Sequence, residues 1–293
     1  MGNLRKALTG MWVVVIVFLF SVLIVFTFHG DGIAGQMLHG DSWLTLLLIA
    51  GLAFMAEYID SSLGMGYGTT LTPILMLAGF NPLQIVPAVL LSEFVTGISA
   101  GLAHHSVGNV DLSRGTQDRR VMYLLLALSV AGTLAAVILA VKLPASAVKF
   151  YIGVMITAVG LFLIAGTGRN IRYSAARIVA LGTVAAFNKG ISGGGYGPLV
   201  TGGQIMSGVP EKNAIGITSF VEGVVCLVGL ILYITMKGGL YWPLAGSMTA
   251  GAILSVPVAA YTVKYLPGKT LHWVIGIITL FLGVMTLAFG IKT

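Results

Sequence analysis

The stretch Gly64-Met65-Gly66-Tyr67-Gly68 returns 129 positions later as Gly193-Gly194-Gly195-Tyr196-Gly197. The same shift aligns further identical residues: Thr72 with Thr201, Gly79 with Gly208, and Glu93 with Glu222. Both copies lie in strongly apolar sequence, where a carboxylate is costly to bury. A repeated glycine-rich break inside apolar segments indicates two copies of one structural unit.

The composition indicates an integral membrane protein. Of the 293 residues, 57% are hydrophobic and only 9% are charged, whereas soluble domains carry about 25% charged residues. The mean hydropathy is +0.99, and the chain has room for roughly ten hydrophobic segments. The net charge of +7 does not indicate nucleic-acid binding, because the basic residues lie in short loops. The single cysteine, Cys226, excludes an intrachain disulfide.

The order of the apolar segments defines the predicted domain organisation. An uncharged stretch from Met11 to Phe28 follows Arg5 and Lys6, and its length favours an uncleaved first helix over a cleaved signal. The later apolar segments lie at about 43–59, 69–80, 83–104, 121–141, 147–166, 178–188, 198–208, 213–236, 242–263 and 271–290. We predict one transmembrane domain with an N-terminal helix and outer loop (1–42), repeat 1 (43–166) and repeat 2 (167–293).

The distribution of basic residues predicts the orientation. A cytoplasmic N-terminus places eleven basic residues inside: Arg5, Lys6, Arg114, Arg119, Arg120, Arg169, Arg172, Arg177, Lys212, Lys264 and Lys269. Four fall outside: Lys142, Lys149, Lys237 and Lys292. This orientation makes repeat 2 enter the membrane from the side opposite to repeat 1. The two repeats are therefore expected to have inverted topology.

Segments 69–79 and 198–208 are too short to span a membrane. Eleven helical residues extend about 16 Å, while the hydrocarbon core is about 30 Å thick. A hairpin that turns at the glycine break, with the short helix returning, is the expected arrangement, and a full span is the alternative left open. The predicted fold class is an all-α polytopic membrane protein with two inverted-topology repeats, broken half-spanning helices and one N-terminal helix.

The glycine breaks are candidate substrate-binding sites. Glycine permits positive φ and leaves amide groups uncovered, and broken backbone at membrane depth lines a cavity or is buried in protein. Short helices beginning past each break would direct their N-terminal amides at a small oxyanion. Tight helix packing is the simpler explanation for the glycines. The candidate substrate-binding residues are Gly64, Gly66, Tyr67, Gly68, Thr69, Thr70, Lys189, Ser192, Gly193, Gly194, Gly195, Tyr196 and Gly197.

Five ionisable residues at membrane depth are functional candidates: Glu57, Asp60, Glu93, Lys189 and Glu222. Asp60 and Lys189 are equivalent under the shift of 129, so we expect them to form the central polar pair. Direct contact between Lys189 and the anion is equally compatible with this position. For Glu57, a position at a helix end near water is the alternative to membrane depth.

Glu93 and Glu222 are the candidate coupling residues. Each lies in a long helix with hydroxyl side chains at helical spacing. If all four acids were ionised, their field would repel an anion, so one or both glutamates are expected to bind H⁺ or Na⁺ during transport. A carboxyl group bonded to nearby backbone is the simpler alternative.

Other functional classes have weaker support. In a cation transporter or channel, the same carboxylates would bind the moving ion. Gly190-Ile191-Ser192-Gly193 is similar to a rhomboid-protease serine motif, but every histidine falls near a loop or helix end, so no base is expected beside Ser192. No nucleotide-binding loop is present. We expect no enzyme activity, cofactor or metal site, and the sequence leaves the oligomeric state open.

The two breaks and the short helices after them resemble the sulfite exporter TauE/SafE family. The similar stretches run from Ser62 through Pro73 to Gly79 and from Gly190 to Gly208, within about 43–290. The resemblance implies movement of a small sulfur-containing anion such as sulfite, a sulfonate or sulfoacetate across a bacterial-type inner membrane. Together these observations predict a secondary transporter that works by alternating access within the lipid bilayer.

Overall fold

The computed structural model of the protein describes residues 43–140, 144–166, 174–192, 194–237 and 239–265, with positions 277, 280, 281, 284 and 287. The helices in the five long ranges are α1 (Trp43–Leu63), α2 (Tyr67–Leu77), α3 (Pro82–Ser106), α4 (Gln117–Ala140), α5 (Ala145–Gly166), α6 (Ala175–Ser192), α7 (Tyr196–Met206), α8 (Glu211–Lys237) and α9 (Trp242–Tyr265). Outside the described residues lie the predicted N-terminal helix and outer loop, Lys142, Arg169, Arg172, Gly193, Lys269, Lys292 and most of 271–290.

Five of the described helices are long and apolar enough to cross a membrane: α1, α3, α4, α8 and α9. The 21 residues of α1 extend about 32 Å, which exceeds the hydrocarbon thickness of about 30 Å. Large apolar side chains point outward from this bundle; Trp43 is 82% exposed and Leu254 is 67% exposed. Such a surface suits lipid rather than water. The predicted class, an all-α multi-pass membrane protein, is confirmed.

The short helices α2 and α7 each contain 11 residues. They begin two residues earlier than the predicted segments, because the glycines themselves cap them: Gly66 has φ 137° and Gly195 has φ 77°. L-amino acids with a Cβ rarely adopt these angles. Both helices end in the same way, with 6→1 backbone bonds from Phe80 to Leu75 and from Val209 to Gln204, each 3.0 Å.

The order of long and short helices repeats along the chain. Helices α1 to α4 run long, short, long, long, and α6 to α9 do the same. Packing follows this repetition: α1 packs against α9, its counterpart α6 packs against α4, and α3 packs against α8. The order of long and short helices is therefore the same in both sets of described helices. The opposite membrane orientation of the two units and the boundaries at 43–166 and 167–293 stay predictions.

Helices α3 and α8 cross at a glycine of each helix, Gly97 and Gly223. A Cβ at Gly97 would lie 2.7 Å from the Ser219 carbonyl oxygen and 2.9 Å from Gly223 Cα. Glu93 lies one helical turn before Gly97, and Glu222 directly precedes Gly223. The crossing therefore brings the two glutamates to the same level of the bundle.

Gly97→Ala is expected to lower the free energy of unfolding by about 1–3 kcal/mol, because its methyl group forces two backbones apart. The matched control is Gly51→Ala in α1, where an added Cβ meets nothing within 4 Å. Thermal unfolding of both purified variants in detergent measures the difference. Equal melting temperatures for the two variants would contradict the close crossing.

Candidate functional site

The two glycine breaks contact each other through their backbones. A Cβ at Gly194 would lie 2.7 Å from the carbonyl carbon of Gly68 and 2.8 Å from the amide nitrogen of Thr69. A Cβ at Gly197 would lie 2.6 Å from Met65 Cα. The absence of side chains at these positions thus lets the starts of α2 and α7 meet. The structure brings the two copies of the repeated motif into one site.

A buried ion cluster lies beside this junction. Lys189 Nζ donates to Glu222 Oε1 at 2.7 Å and also to Glu93 Oε2. The exposed fractions are 0% for Lys189, 3% for Glu93 and 4% for Glu222. Lys189 lies in the last turn of α6, where the helix dipole favours a cation. One ammonium therefore joins two carboxylates from the crossing helices α3 and α8.

The first amides of α2 donate to carboxylates of the protein itself. Tyr67 N donates to Asp60 Oδ1 at 3.0 Å, and Gly68 N donates to Glu93 Oε1 at 3.2 Å. The amides at this helix start are thus directed at anionic oxygens, and their contact with a substrate oxyanion stays a prediction. In this structure, the oxygens are those of Asp60 and Glu93.

Asp60 and Lys189, the expected central polar pair, lie close enough to interact electrostatically, but no direct salt bridge between them is among those described. The described salt bridges of Lys189 are with Glu93 and Glu222. Both Asp60 and Lys189 lie in the last turn of their helices, but the dipole there favours a cation and disfavours an acid. Asp60 is turned instead to the Tyr67 amide that begins α2.

Glu57 lies inside the bundle and not at a helix end near water. It is 1% exposed, and its two oxygens accept from Ser61 Oγ at 2.5 Å and Thr96 Oγ1 at 3.0 Å. Thr96 comes from α3, which covers this face of α1. The hydroxyls near Glu93 on α3 therefore contact other groups. Thr96 donates to Glu57, and Ser92 Oγ lies 2.6 Å from the Tyr67 hydroxyl.

The remaining predicted residues have more local contacts. Thr69 Oγ1 and Thr70 Oγ1 both donate to the Gly66 carbonyl oxygen, at 3.1 Å and 2.6 Å. Tyr196 is fully buried and its hydroxyl lies 2.9 Å from Ser129 Oγ. Ser192 is the last residue of α6.

Two groups near the junction were not predicted from the sequence. Cys226 Sγ lies 3.6 Å from Glu93 Oε2; its position one turn after Glu222 is the signal that would have identified it. Thr201 Oγ1 donates to the Gly64 carbonyl oxygen at 2.7 Å and lies 2.9 Å from Thr218 Oγ1. Within the described ranges, no three His, Cys, Asp or Glu side chains are placed to hold a metal ion.

The two histidines at the end of α3, His104 and His105, lie in different environments. His104 is fully buried, with Nε2 2.8 Å from the Ser61 carbonyl oxygen, while His105 is exposed. A cavity of about 270 Å³ lies here, lined by His105, Gly108, Asn109, Val110, Asp111 and Asn213. In this loop, the Ser113 hydroxyl and amide hold the pKa of Asp111 below its usual value. None of the predicted site residues lines this cavity.

Thr201→Val is expected to lower the free energy of unfolding by about 1–2 kcal/mol, because it removes the donor to the Gly64 carbonyl oxygen in a buried site. Thr183→Val in α6 is the control, since its exposed hydroxyl bonds only the Val179 carbonyl oxygen of its own helix. Chemical unfolding in detergent compares the two. A Thr201 variant no less stable than the Thr183 variant would show that the contact between the breaks contributes little.

The fold and the site together define a class of protein. Polytopic membrane transport proteins combine apolar helices of membrane length with broken helices and buried charges. The described helices have all three features, and the buried charges lie beside the contact of the two glycine breaks. The family model described as Sulfite exporter TauE/SafE matches residues 47–286, and the chain belongs to that family. The resemblance predicted from the glycine breaks is thus confirmed.

A curated relative supports the same class. "Probable membrane transporter protein YtnM" of Bacillus subtilis (strain 168) is 27% identical over 231 residues, which cover 75% of each chain. No solved structure matches the chain. The family and this relative support a role in membrane transport within a lipid environment.

Proposed function

We propose that the protein is a secondary transporter for a small sulfur-containing oxyanion, such as sulfite, a sulfonate or a sulfoacetate-like compound. The main supporting observation is that the fully buried ammonium of Lys189 and the Gly68 amide of the first glycine break donate to the same carboxylate, that of Glu93. An ammonium beside helix-start amides suits the oxygens of an oxyanion. The family description, which names sulfite export, supports a sulfur oxyanion as substrate.

The charges of the site support coupling to a cation. Among the described residues, four carboxylates are buried, those of Glu57, Asp60, Glu93 and Glu222, and Lys189 is the one buried ammonium. A further anion is repelled while all four are ionised, and the repulsion is strong in a medium of low dielectric constant. Binding of H⁺ or Na⁺ at Glu93 or Glu222 removes this repulsion. These two carboxylates are therefore the proposed coupling sites.

Alternating access is the proposed mechanism. If the two units have inverted topology, rocking of one against the other exposes the junction first to one side and then to the other. At Gly194 and Gly197 the two breaks approach each other backbone to backbone, and we place the moving contact there. The proposed location is the inner membrane, with a cytoplasmic N-terminus.

The excess of carboxylates favours one competing function. In a cation transporter or channel, the carboxylates would bind the transported ion, and the Lys189 ammonium would neutralise part of their charge when no ion is bound. This alternative differs from the main proposal in the sign of the moving charge.

Flux into proteoliposomes separates the two functions. Under imposed H⁺ or Na⁺ gradients, we expect uptake of sulfite or methanesulfonate by the wild type, and loss of uptake by a folded Lys189→Ala variant. Na⁺ flux without anion flux would contradict anion transport and support the alternative. Glu93→Gln and Glu222→Gln variants that keep full gradient dependence would contradict coupling through these carboxylates.

A further inference from the structure

Three donors of the central cluster suit an oxyanion, and all three are directed at carboxylates. The Lys189 ammonium donates to Glu93 and Glu222, the Tyr67 amide to Asp60, and the Gly68 amide to Glu93. An oxyanion that enters this cluster must therefore take the place of a carboxylate.

Glu93 bonds to more helices than Asp60 or Glu222 does. Its Oε1 accepts from the Gly68 amide of α2 at 3.2 Å, and its Oε2 accepts from the Lys189 ammonium of α6. Among the described side-chain hydrogen bonds, that of Glu222 is with Lys189 and that of Asp60 is with the Tyr67 amide. The two oxygens of Glu93 thus occupy the positions where a carboxylate, sulfonate or sulfite would meet an amide and a cation.

We infer that the Glu93 carboxylate is an internal competitor, which occupies the substrate oxyanion position until it takes up a proton and releases Lys189 and the Gly68 amide. This inference rests on the proposed function and assigns the competing role to Glu93 alone. One proton from solution is bound for each anion that binds. Glu222 stays ionised and keeps its contact with Lys189.

The exchange leaves the charge of the cluster unchanged. Before it, one ammonium faces Glu93 and Glu222; after it, the ammonium faces a monoanion and Glu222. No additional charge is then buried, and burial of an uncompensated charge is the main cost of bringing an anion into the membrane. The other groups around Glu93 are Glu57, Asp60 and Tyr67 from α1 and α2, Lys189 from α6, and Glu222 and Cys226 from α8. Tyr196 from α7 interacts with Lys189, Glu222 and Cys226.

Anion binding to the full chain in nanodiscs tests this inference. The probes are sulfite and methanesulfonate, and the latter keeps one negative charge throughout the range from about pH 5.5 to about pH 8.5. Calorimetry should show wild-type affinity for methanesulfonate falling by up to about tenfold per pH unit as the pH rises. Glu93→Gln should bind at least about tenfold more tightly than wild type at the highest pH and lose the pH dependence. Glu222→Gln is the matched variant and should keep the pH dependence.

A second measurement needs no variant and so does not depend on how Glu93→Gln folds. Titration of the wild type in buffers of different ionisation enthalpy should show uptake of about one proton per anion bound near neutral pH. Binding without proton uptake, or a Glu93→Gln variant with the wild-type pH dependence, overturns the inference and leaves the proposed transport function standing. No binding of either anion by any variant at any pH overturns both.

Discussion

Lys189→Met is expected to destabilise the folded protein by about 3–5 kcal/mol, because it leaves two carboxylates buried together without their cation. Methionine retains much of the length of the lysine side chain, so little packing is lost. The change in stability therefore measures the loss of the ammonium charge. Glu93 and Glu222 would face each other across the α3–α8 crossing, where water does not reach them. Thermal unfolding of the purified variant in detergent is the measurement.

Two further variants show whether the charge is responsible. Lys212→Met removes a lysine outside the cluster, whose Nζ donates to the Lys264 carbonyl oxygen, and it should cost less than about 1.5 kcal/mol. Combining Lys189→Met with Glu93→Gln removes one buried carboxylate and should restore part of the lost stability. A Lys189→Met variant as stable as wild type would refute the structural importance of the ion cluster.

Gly194→Leu is expected to cost about 3 kcal/mol or more and to abolish anion transport. The new side chain would have to occupy the space taken by the peptide between Gly68 and Thr69. This contact is between backbones, so no side-chain rotation can relieve it. Separation of the two breaks would also move the Gly68 amide away from Glu93 Oε1, which changes the proposed anion site directly.

Gly246→Leu in α9 provides the control, since an added Cβ there meets nothing within 4 Å. It should fold and transport as the wild type does. Melting temperature and proteoliposome flux measured together distinguish loss of fold from loss of function. Normal flux in Gly194→Leu would show that the glycine breaks need not touch for transport.

Much of the helix arrangement could be predicted because it depends on local chain properties. The predicted starts of α2 and α7 are two residues late, because the prediction began each helix after the glycine break and not directly after its capping glycine. The contact of Glu57 with Thr96 could not be predicted, since it results from α3 packing over α1. The contact of Cys226 with Glu93 likewise depends on tertiary structure, because it requires α8 to pack against α3.

By itself, the sequence determined the membrane class, the duplicated glycine break, the shortness of α2 and α7, and the set of charged residues at membrane depth. These follow from hydropathy and segment length, which accumulate residue by residue along the chain. Only the tertiary structure decided which carboxylates Lys189 pairs with, because that depends on where α3 and α8 cross. Gly97 and Gly223 set this crossing by allowing backbone contact, and it brings Glu93 and Glu222, rather than Asp60, to the ammonium.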